Sequence, residues 1–358
     1  MDESAELLRL PSAPGSLDDL TVAGDVLSVH GWLFQPGCTL TSVEVRLDGR
    51  PVGFARPVQR DDVKRAFRRA GSGSPLGFAF TTPLARERPA RLDLIGRSAE
   101  GPRARLSCVL PSEEESLLPL PPKHLTERAT GFHGAAFRMQ GLRMFTDLTD
   151  QLSRFGVAAR GRILDWGCGC GRVARHFATR WPDAELVGCD IDEEAIDWCR
   201  RSLRGEFVAI RPAPPTPFEA GSMDVVVACS VLTHLGRADQ TLWLAEMRRI
   251  LAPGGVFIAS THGEYAFQLG RLGSPGNALL SVWRWLAWLA TRPTHLSGID
   301  DSSADGRLGH VARRGYYRTT FQSQAYTLHA CSPHFEVLDY VERGLNGHQD
   351  LIVLRRPR

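Results

Sequence analysis

Ile163-Leu-Asp-Trp-Gly-Cys-Gly-Cys-Gly171-Arg-Val-Ala174 decides the fold: an apolar run closes on Asp165, three glycines follow at alternate positions, and an amphipathic segment starts at once. This order reads as a buried strand, a tight turn and a helix. Glycines at 167, 169 and 171 let the backbone turn sharply and approach a ligand with no Cβ in the way. The helix start then leaves backbone groups available to that ligand. Nineteen residues after Gly171 the next apolar run, Leu186-Val-Gly-Cys-Asp190-Ile-Asp192, ends in a carboxylate where two hydrogen bonds from a ribose diol can be accepted. A dinucleotide fingerprint GxGxxG read from Gly167 requires glycine at 172, where Arg172 stands, so the nicotinamide reading fails on spacing.

Outward from this turn, strands and helices alternate. RILDWG, AELVGCD, EFVAI, MDVVVAC and GVFIAS read as strands, with helices expected through Arg172–Trp181, Glu193–Leu203 and Ala238–Leu251. Such alternation predicts a mostly parallel sheet covered by helices, and continuous runs such as DVVVAC suit strands buried on both faces. Between Thr21 and about Pro111 the pattern changes to short alternating runs broken by turn residues, which predicts an all-β module. Asp48-Gly49, between VEVRL and PVGFA, predicts a two-residue hairpin turn. LPSEEESLLPLPPKHL is rich in proline and acid and reads as an exposed, irregular linker. The expected organisation is therefore a β-sandwich over residues 1–112, a linker over 113–125 and an α/β domain over 126–358, with an aromatic-rich insertion at about 264–320.

From Thr126 to Arg358 these motifs resemble the class I S-adenosylmethionine-dependent methyltransferases, and the resemblance implies a Rossmann-like, doubly wound, mostly parallel seven-stranded sheet. It also implies S-adenosylmethionine as cofactor. By resemblance, Asp165 organises the loop, with Trp166, Gly169 and Gly171 in the same cofactor-binding turn. The Gly167 and Cys168 backbone lies against the methionine part, Asp190 takes the ribose hydroxyls, Ile191 packs on the adenine, and Ser230 completes the cofactor set. PPTPFEAGSMDVVVACSVLTHL, MRRILAPGGVFIAST and FEVLDYVERGLNGHQDLIVLRRP match later parts of that fold. Where the family often places an acid or amide for the adenine amino group, this chain reads IRPAPPTPF, which names no side chain for that task. The N-terminal runs GWLF, VEVRLDGRPVGFA, RDDVKRAF and GFAF resemble the small β-sandwich found beside glycosyltransferases and methyltransferases in bacterial surface-polysaccharide systems. The plain alternative for that module is a docking or stabilising appendage.

Methyl transfer from a sulfonium mainly requires alignment, and a hydroxyl acceptor gains further from a general base. His234, in Ser230-Val-Leu-Thr-His234, lies just past the fourth strand, at the strand ends where α/β sheets bind ligands, and is the candidate catalytic base. Its bland alternative is a structural hydrogen bond. His262 and His348 are further candidates near the acceptor, and Arg128, Thr130 and Gly131 are placed by resemblance over the cofactor carboxylate. The insertion carries Trp283, Trp285, Trp288, Tyr316 and Tyr317, which suit either a lid that stacks on ring faces or a helix packing on the sheet or on a second subunit, so a homodimer stays open. The cysteines lack ligand spacing, and no metal is expected.

A net charge of +3 with dispersed basic residues argues against nucleic acid. Ala278–Ala290 is too short for the roughly 20 residues of a membrane span, so no stable membrane insertion is expected. Eight cysteines without a disulfide framework, behind an acidic N-terminus, fit the cytoplasm. The expected function is methyl transfer to a hydroxyl of a saccharide, a glycan precursor or another small metabolite. A non-sugar natural-product acceptor, a cofactor-binding scaffold without turnover, and non-methyl chemistry in the same pocket are the alternatives.

Overall fold

The computed structural model describes residue 10 and residues 15–23, 25–35, 37–61, 63, 76–84, 90–129, 131, 133–272, 295–304, 311 and 315–358. Among the described residues, the first domain has eight short strands: β1 (Gly15–Ala23), β2 (Val26–Leu33), β3 (Ser42–Leu47), β4 (Arg50–Phe54), β5 (Arg56–Val58), β6 (Leu76–Pro83), β7 (Arg91–Ser98) and β8 (Gly101–Val109). They form two four-stranded antiparallel sheets, β1-β2-β6-β5 and β4-β3-β7-β8, whose alternating inward residues, among them Leu27, Val29, Val45, Leu94 and Leu106, share one core. Asp48 and Gly49 have φ of +46° and +77° and join the paired Leu47 and Arg50, the two-residue turn that the dipeptide predicts.

The segment expected to be an exposed, irregular linker is mostly exposed, but it is partly helical and anchored at Glu115. Ser112 and Glu115 make a reciprocal capping box that starts helix α1 (Glu113–Leu117), and α2 (Lys123–Ala129) follows. Glu115 is buried against His176 and Arg180 of the next domain, so proline and acid here specify a fitted connection.

Helix α3 (Gly134–Arg154) joins the two domains because it carries two apolar stripes. Phe137, Met144, Phe145, Leu148 and Leu152 enter the α/β core, whereas Met139 and Leu142 enter the core of the β-sandwich. Polar contacts flank the second stripe. Arg91 meets Asp150 through two 2.7 Å bonds, Val109 N donates to Thr146 Oγ1 at 3.0 Å, and Arg143 Nη1 donates to the Gly15 carbonyl at 2.6 Å.

The α/β domain runs β9 (Gly161–Trp166), α4 (Ala174–Arg180), β10 (Ala184–Asp190), α5 (Glu193–Ser202), β11 (Glu206–Ala209), β12 (Met223–Ala228), α6 (Arg237–Ile250) and β13 (Leu251–Thr261). Then come α7 (Glu264–Leu272), β14 (Ile299–Ala304), β15 (Arg318–Gln322), α8 (Gln324–Cys331), β16 (Glu336–Leu345) and β17 (Gln349–Arg355). The seven-stranded sheet has the order β11-β10-β9-β12-β13-β17-β16, parallel except where β17 pairs antiparallel with β13 and β16. Strand order reverses between β9 and β12, which opens a crevice at their carboxyl ends.

Of the expected insertion, β14 and β15 form a separate two-stranded sheet, and Trp283, Trp285 and Trp288 lie outside the described residues. Tyr316 is buried, its hydroxyl accepting from Trp243 Nε1 at 3.3 Å, so it belongs to the core. No described helix is long and apolar enough to cross a membrane.

Candidate functional site

The glycine turn stands at the switch point between β9 and α4. Gly167, Gly169 and Gly171 have φ of +74°, +52° and +77°, in the region that disfavours side chains. A Cβ on Gly167 would overlap Val231 Cγ2, and one on Gly171 would come within 2.5 Å of Leu203 Cδ1. Gly141 explains how α3 reaches the turn: it lies on the Arg172 carbonyl so closely that a Cβ would collide with that oxygen.

Asp190 is oriented by two backbone donors, Gly169 N at 2.8 Å and Asp192 N at 2.9 Å. The turn and the carboxylate after β10 are thus one structure. Burial raises the Asp190 pKa, opposed by these bonds. Gly167 N and Cys168 N both donate to Cys189 O, at 2.8 and 3.1 Å, so these two amides are engaged in holding the turn to β10. Asp165 is buried at 1% exposure, burial pushes its pKa up to about 7, and its Oδ2 has no hydrogen-bond partner among the described residues. An enclosed carboxylate oxygen of this kind calls for a donor, and a cationic one best of all.

Two hollows open from this centre. The smaller, about 90 Å³, is bounded by Trp166, Gly167, Asp190, Ile191, His234 and Tyr317. The larger, about 650 Å³, lies between α3, the β16–β17 turn and the first strands of the β-sandwich. Ser230 lines both. Its φ of +62° is a strained conformation for serine, and it is held from two sides: Ser230 N donates to Ser260 Oγ at 2.7 Å, and its Oγ lies 2.9 Å from Gln349 Nε2.

His234 falls in the smaller hollow. Its ring stacks on Tyr317 at 4.1 Å between centroids, and Nδ1 lies 2.8 Å from the Arg318 carbonyl. A carbonyl only accepts, so the proton sits on Nδ1 and Nε2 is the basic nitrogen of the neutral ring. His348 lines the larger hollow, where burial lowers its pKa and keeps it neutral, while His262 Nδ1 points at Thr320 O at 3.3 Å.

Arg128 pairs with Asp192 and Glu194, at the start of the helix that follows Asp190. Gly131 has φ +74° with open space around it, and Thr130 lies outside the described residues. Gln349, Arg172 and Trp32 stand in segments that the sequence marks, HQDLIVL, GRVA and GWLF, but nothing in those segments gives them a site role, since the three come together only in the fold.

Residues 163–255 match the family model described as a methyltransferase domain. A trans-aconitate 2-methyltransferase of Methylobacterium radiotolerans is 30% identical over 167 residues, 46% of this chain and 58% of the relative. A fatty-acid O-methyltransferase of Mycolicibacterium smegmatis is 32% identical over 124 residues, 31% of this chain and 44% of the relative. Across these and similar curated relatives the chain spans between 39% and 58% of their length. Among solved structures, the N-methyltransferase NodS of Bradyrhizobium japonicum with S-adenosyl-L-homocysteine aligns over 60% of this chain and 86% of its own, at 16% identity and a TM-score of 0.39. The matched segment runs from β9 to β13, with strand, glycine turn and Asp190 carboxylate in place, and this segment is a methyltransferase domain.

Proposed function

We propose that the protein is an S-adenosylmethionine-dependent methyltransferase that methylates an oxygen of a small molecule, a hydroxyl of a saccharide or glycan precursor in the finer reading. One observation carries it: a nucleoside-type cleft and a larger cavity meet at Ser230, so a donor in the first and an acceptor in the second face each other there. Relatives whose names give trans-aconitate and a fatty acid as acceptors support a small oxygen acceptor.

The chain's own residues fit the cofactor. The orphaned Asp165 Oδ2 meets the need of an ammonium group, Asp190 keeps lone pairs for a diol, and Ile191 and Ile210 give the cleft an apolar end. When bound, S-adenosylmethionine supplies a methyl group already activated by its sulfonium, for an in-line displacement that leaves the bonding pair on sulfur. For a hydroxyl acceptor, His234 Nε2 takes the proton, the Arg318 carbonyl holding the ring in the required tautomer. A carboxylate acceptor arrives deprotonated and needs no such base.

The test is incubation of the full chain with methyl-deuterated cofactor and a panel of small hydroxyl and carboxyl compounds, read by mass spectrometry beside calorimetric binding of S-adenosylhomocysteine. Folded protein that takes up no S-adenosylhomocysteine refutes the reading.

A further inference from the structure

One wall of the larger cavity is the outer face of the β-sandwich. Leu27, Val29 and Leu33 of β2 turn into the sandwich core, so alternation puts Trp32 on the opposite face, and the antiparallel register sets Ser16 of β1 directly beside it. Both line a space of about 650 Å³, a size typical of small-molecule sites, together with Gln140 of α3 and with Asn346 and His348 of the β16–β17 turn. Arg143 Nη1 donates to the Gly15 carbonyl, one residue before Ser16, and Met139 and Leu142 of α3 enter the sandwich core, so this wall is fixed against the α/β domain.

The ionised groups of the lining are compensated by groups outside it. Asp18 is paired with Arg60, Arg143 faces the buried Asp147 one turn further along α3, and Arg172 faces the buried Asp165. An incoming anion would give up its hydration for cations that already have their counter-charges. What the cavity offers instead is neutral hydrogen bonding. Tyr265 and Asn346 line it, and the Tyr265 hydroxyl and Asn346 Oδ1 are enclosed with no hydrogen-bond partner among the described residues. The first donates and the second only accepts, so alcohol hydroxyls serve both, whereas a carboxylate has no proton for Asn346. Burial keeps His348 neutral as well, with one ring nitrogen that donates and one that accepts. Trp32 adds an aromatic face and Met139 an apolar side chain, which suit the C–H face of a saturated ring.

Resting on the methyltransferase reading, we propose that this interdomain cavity binds the methyl acceptor as an uncharged polyhydroxylated ring, a neutral saccharide unit, and that the β-sandwich selects it through Trp32 and Ser16. The module is then part of the active site and no mere appendage. S-adenosylhomocysteine carries charges and hydroxyls of its own, so the test begins from protein saturated with it.

Into that complex, methyl glucoside, methyl galactoside and methyl mannoside are titrated by ligand-observed NMR beside glucuronate and trans-aconitate. At least one neutral glycoside should bind about tenfold more tightly than either anion. Trp32→Ala and Ser16→Trp, which fills the cavity from the module side, should each weaken that glycoside about tenfold, with S-adenosylhomocysteine affinity within twofold of wild type and an unchanged melting temperature. Tyr265→Phe should weaken it about threefold, the size of one neutral hydrogen bond, and a variant that binds the glycoside as wild type does overturns recognition by that hydroxyl. Uptake of no neutral glycoside, or tighter binding of an anion, overturns the acceptor class. Glycoside binding unchanged in both module variants that still fold overturns the module's part. Failure of the wild-type protein to bind S-adenosylhomocysteine strikes the methyltransferase reading itself, whereas its uptake without any glycoside strikes this inference alone.

Discussion

Replacing Glu115 with glutamine tests how the connection between the domains is held. The carboxylate is 1% exposed and accepts from Ser112 N at 2.9 Å, His176 Nδ1 at 2.7 Å and Arg180 Nη2 at 2.6 Å. Burial pushes its pKa up, but the hydrogen bonds from His176 and Arg180 outweigh burial and leave it at about 2 against an ordinary 4.5. His176 is as deeply buried, burial lowers its own pKa, and its Nε2 is enclosed with no partner among the described residues. Protonation would leave a buried N–H unmet, so at neutral pH His176 donates a hydrogen bond without a charge, and Arg180 is the guanidinium bonded to the carboxylate.

A carboxyl held at about 2 instead of 4.5 contributes about 3 kcal/mol to folding at neutral pH. With His176 neutral, about 2 kcal/mol is the working figure. Because the folded pKa is depressed, this stabilisation is complete above about 4.5 and disappears as the pH falls toward about 2. Glu115→Gln should therefore lose about 2 kcal/mol in urea denaturation at neutral pH, followed by fluorescence and circular dichroism together, and the gap to wild type should narrow below pH ~4.5. A gap under about 0.5 kcal/mol, the size of an ordinary surface change, or one constant with pH, refutes the reasoning.

Gly171→Ala combines a left-handed φ with a contact on Leu203 and should cost about 1–3 kcal/mol, whereas Gly169→Ala, whose nearest neighbour is Ala129 Cβ at 3.6 Å, should cost only about 1 kcal/mol; thermal denaturation separates them. Asp150→Ala removes both bonds to Arg91 and should release β7 and β8 first, at a cost of about 1 kcal/mol given the partial exposure of the pair, read as faster amide exchange in those strands. His234→Ala should lower turnover of a hydroxyl acceptor about 10²–10⁴-fold while S-adenosylhomocysteine affinity stays within twofold; unchanged turnover removes the base role, and a carboxylate acceptor is expected to be spared.

What the sequence makes legible is what neighbours along the chain decide. Asp165 through Gly171 and the carboxylate of Asp190 are read directly, because a turn needing positive φ three times in five residues leaves few residue choices. The same holds for Asp48-Gly49. The connection at 113–125 escapes this logic: its composition matches an exposed linker, and the burial of Glu115 depends on His176 and Arg180, more than sixty positions away. Helix α3 is legible as a helix but not as a joint, since spacing shows apolar positions without showing that Met139 and Phe137 face different cores.

Ser230 is the sharpest instance. Nothing in Ser-Val-Leu-Thr-His marks a serine with φ of +62°, because the groups that hold it, Ser260 Oγ and the Gln349 amide, come from 30 and 119 positions along the chain. Strain of this kind costs about 1–3 kcal/mol and persists only where surrounding structure over-determines it. It sits at the one described residue that lines both the smaller hollow and the larger cavity. Ser230→Gly relieves the backbone and removes the hydroxyl, so it should raise stability while separating Gln349 from its partner. If Ser230 only closes a loop, the variant is more stable and equally active. If the strained turn positions donor against acceptor, stability rises and turnover falls, a divergence that packing alone does not produce.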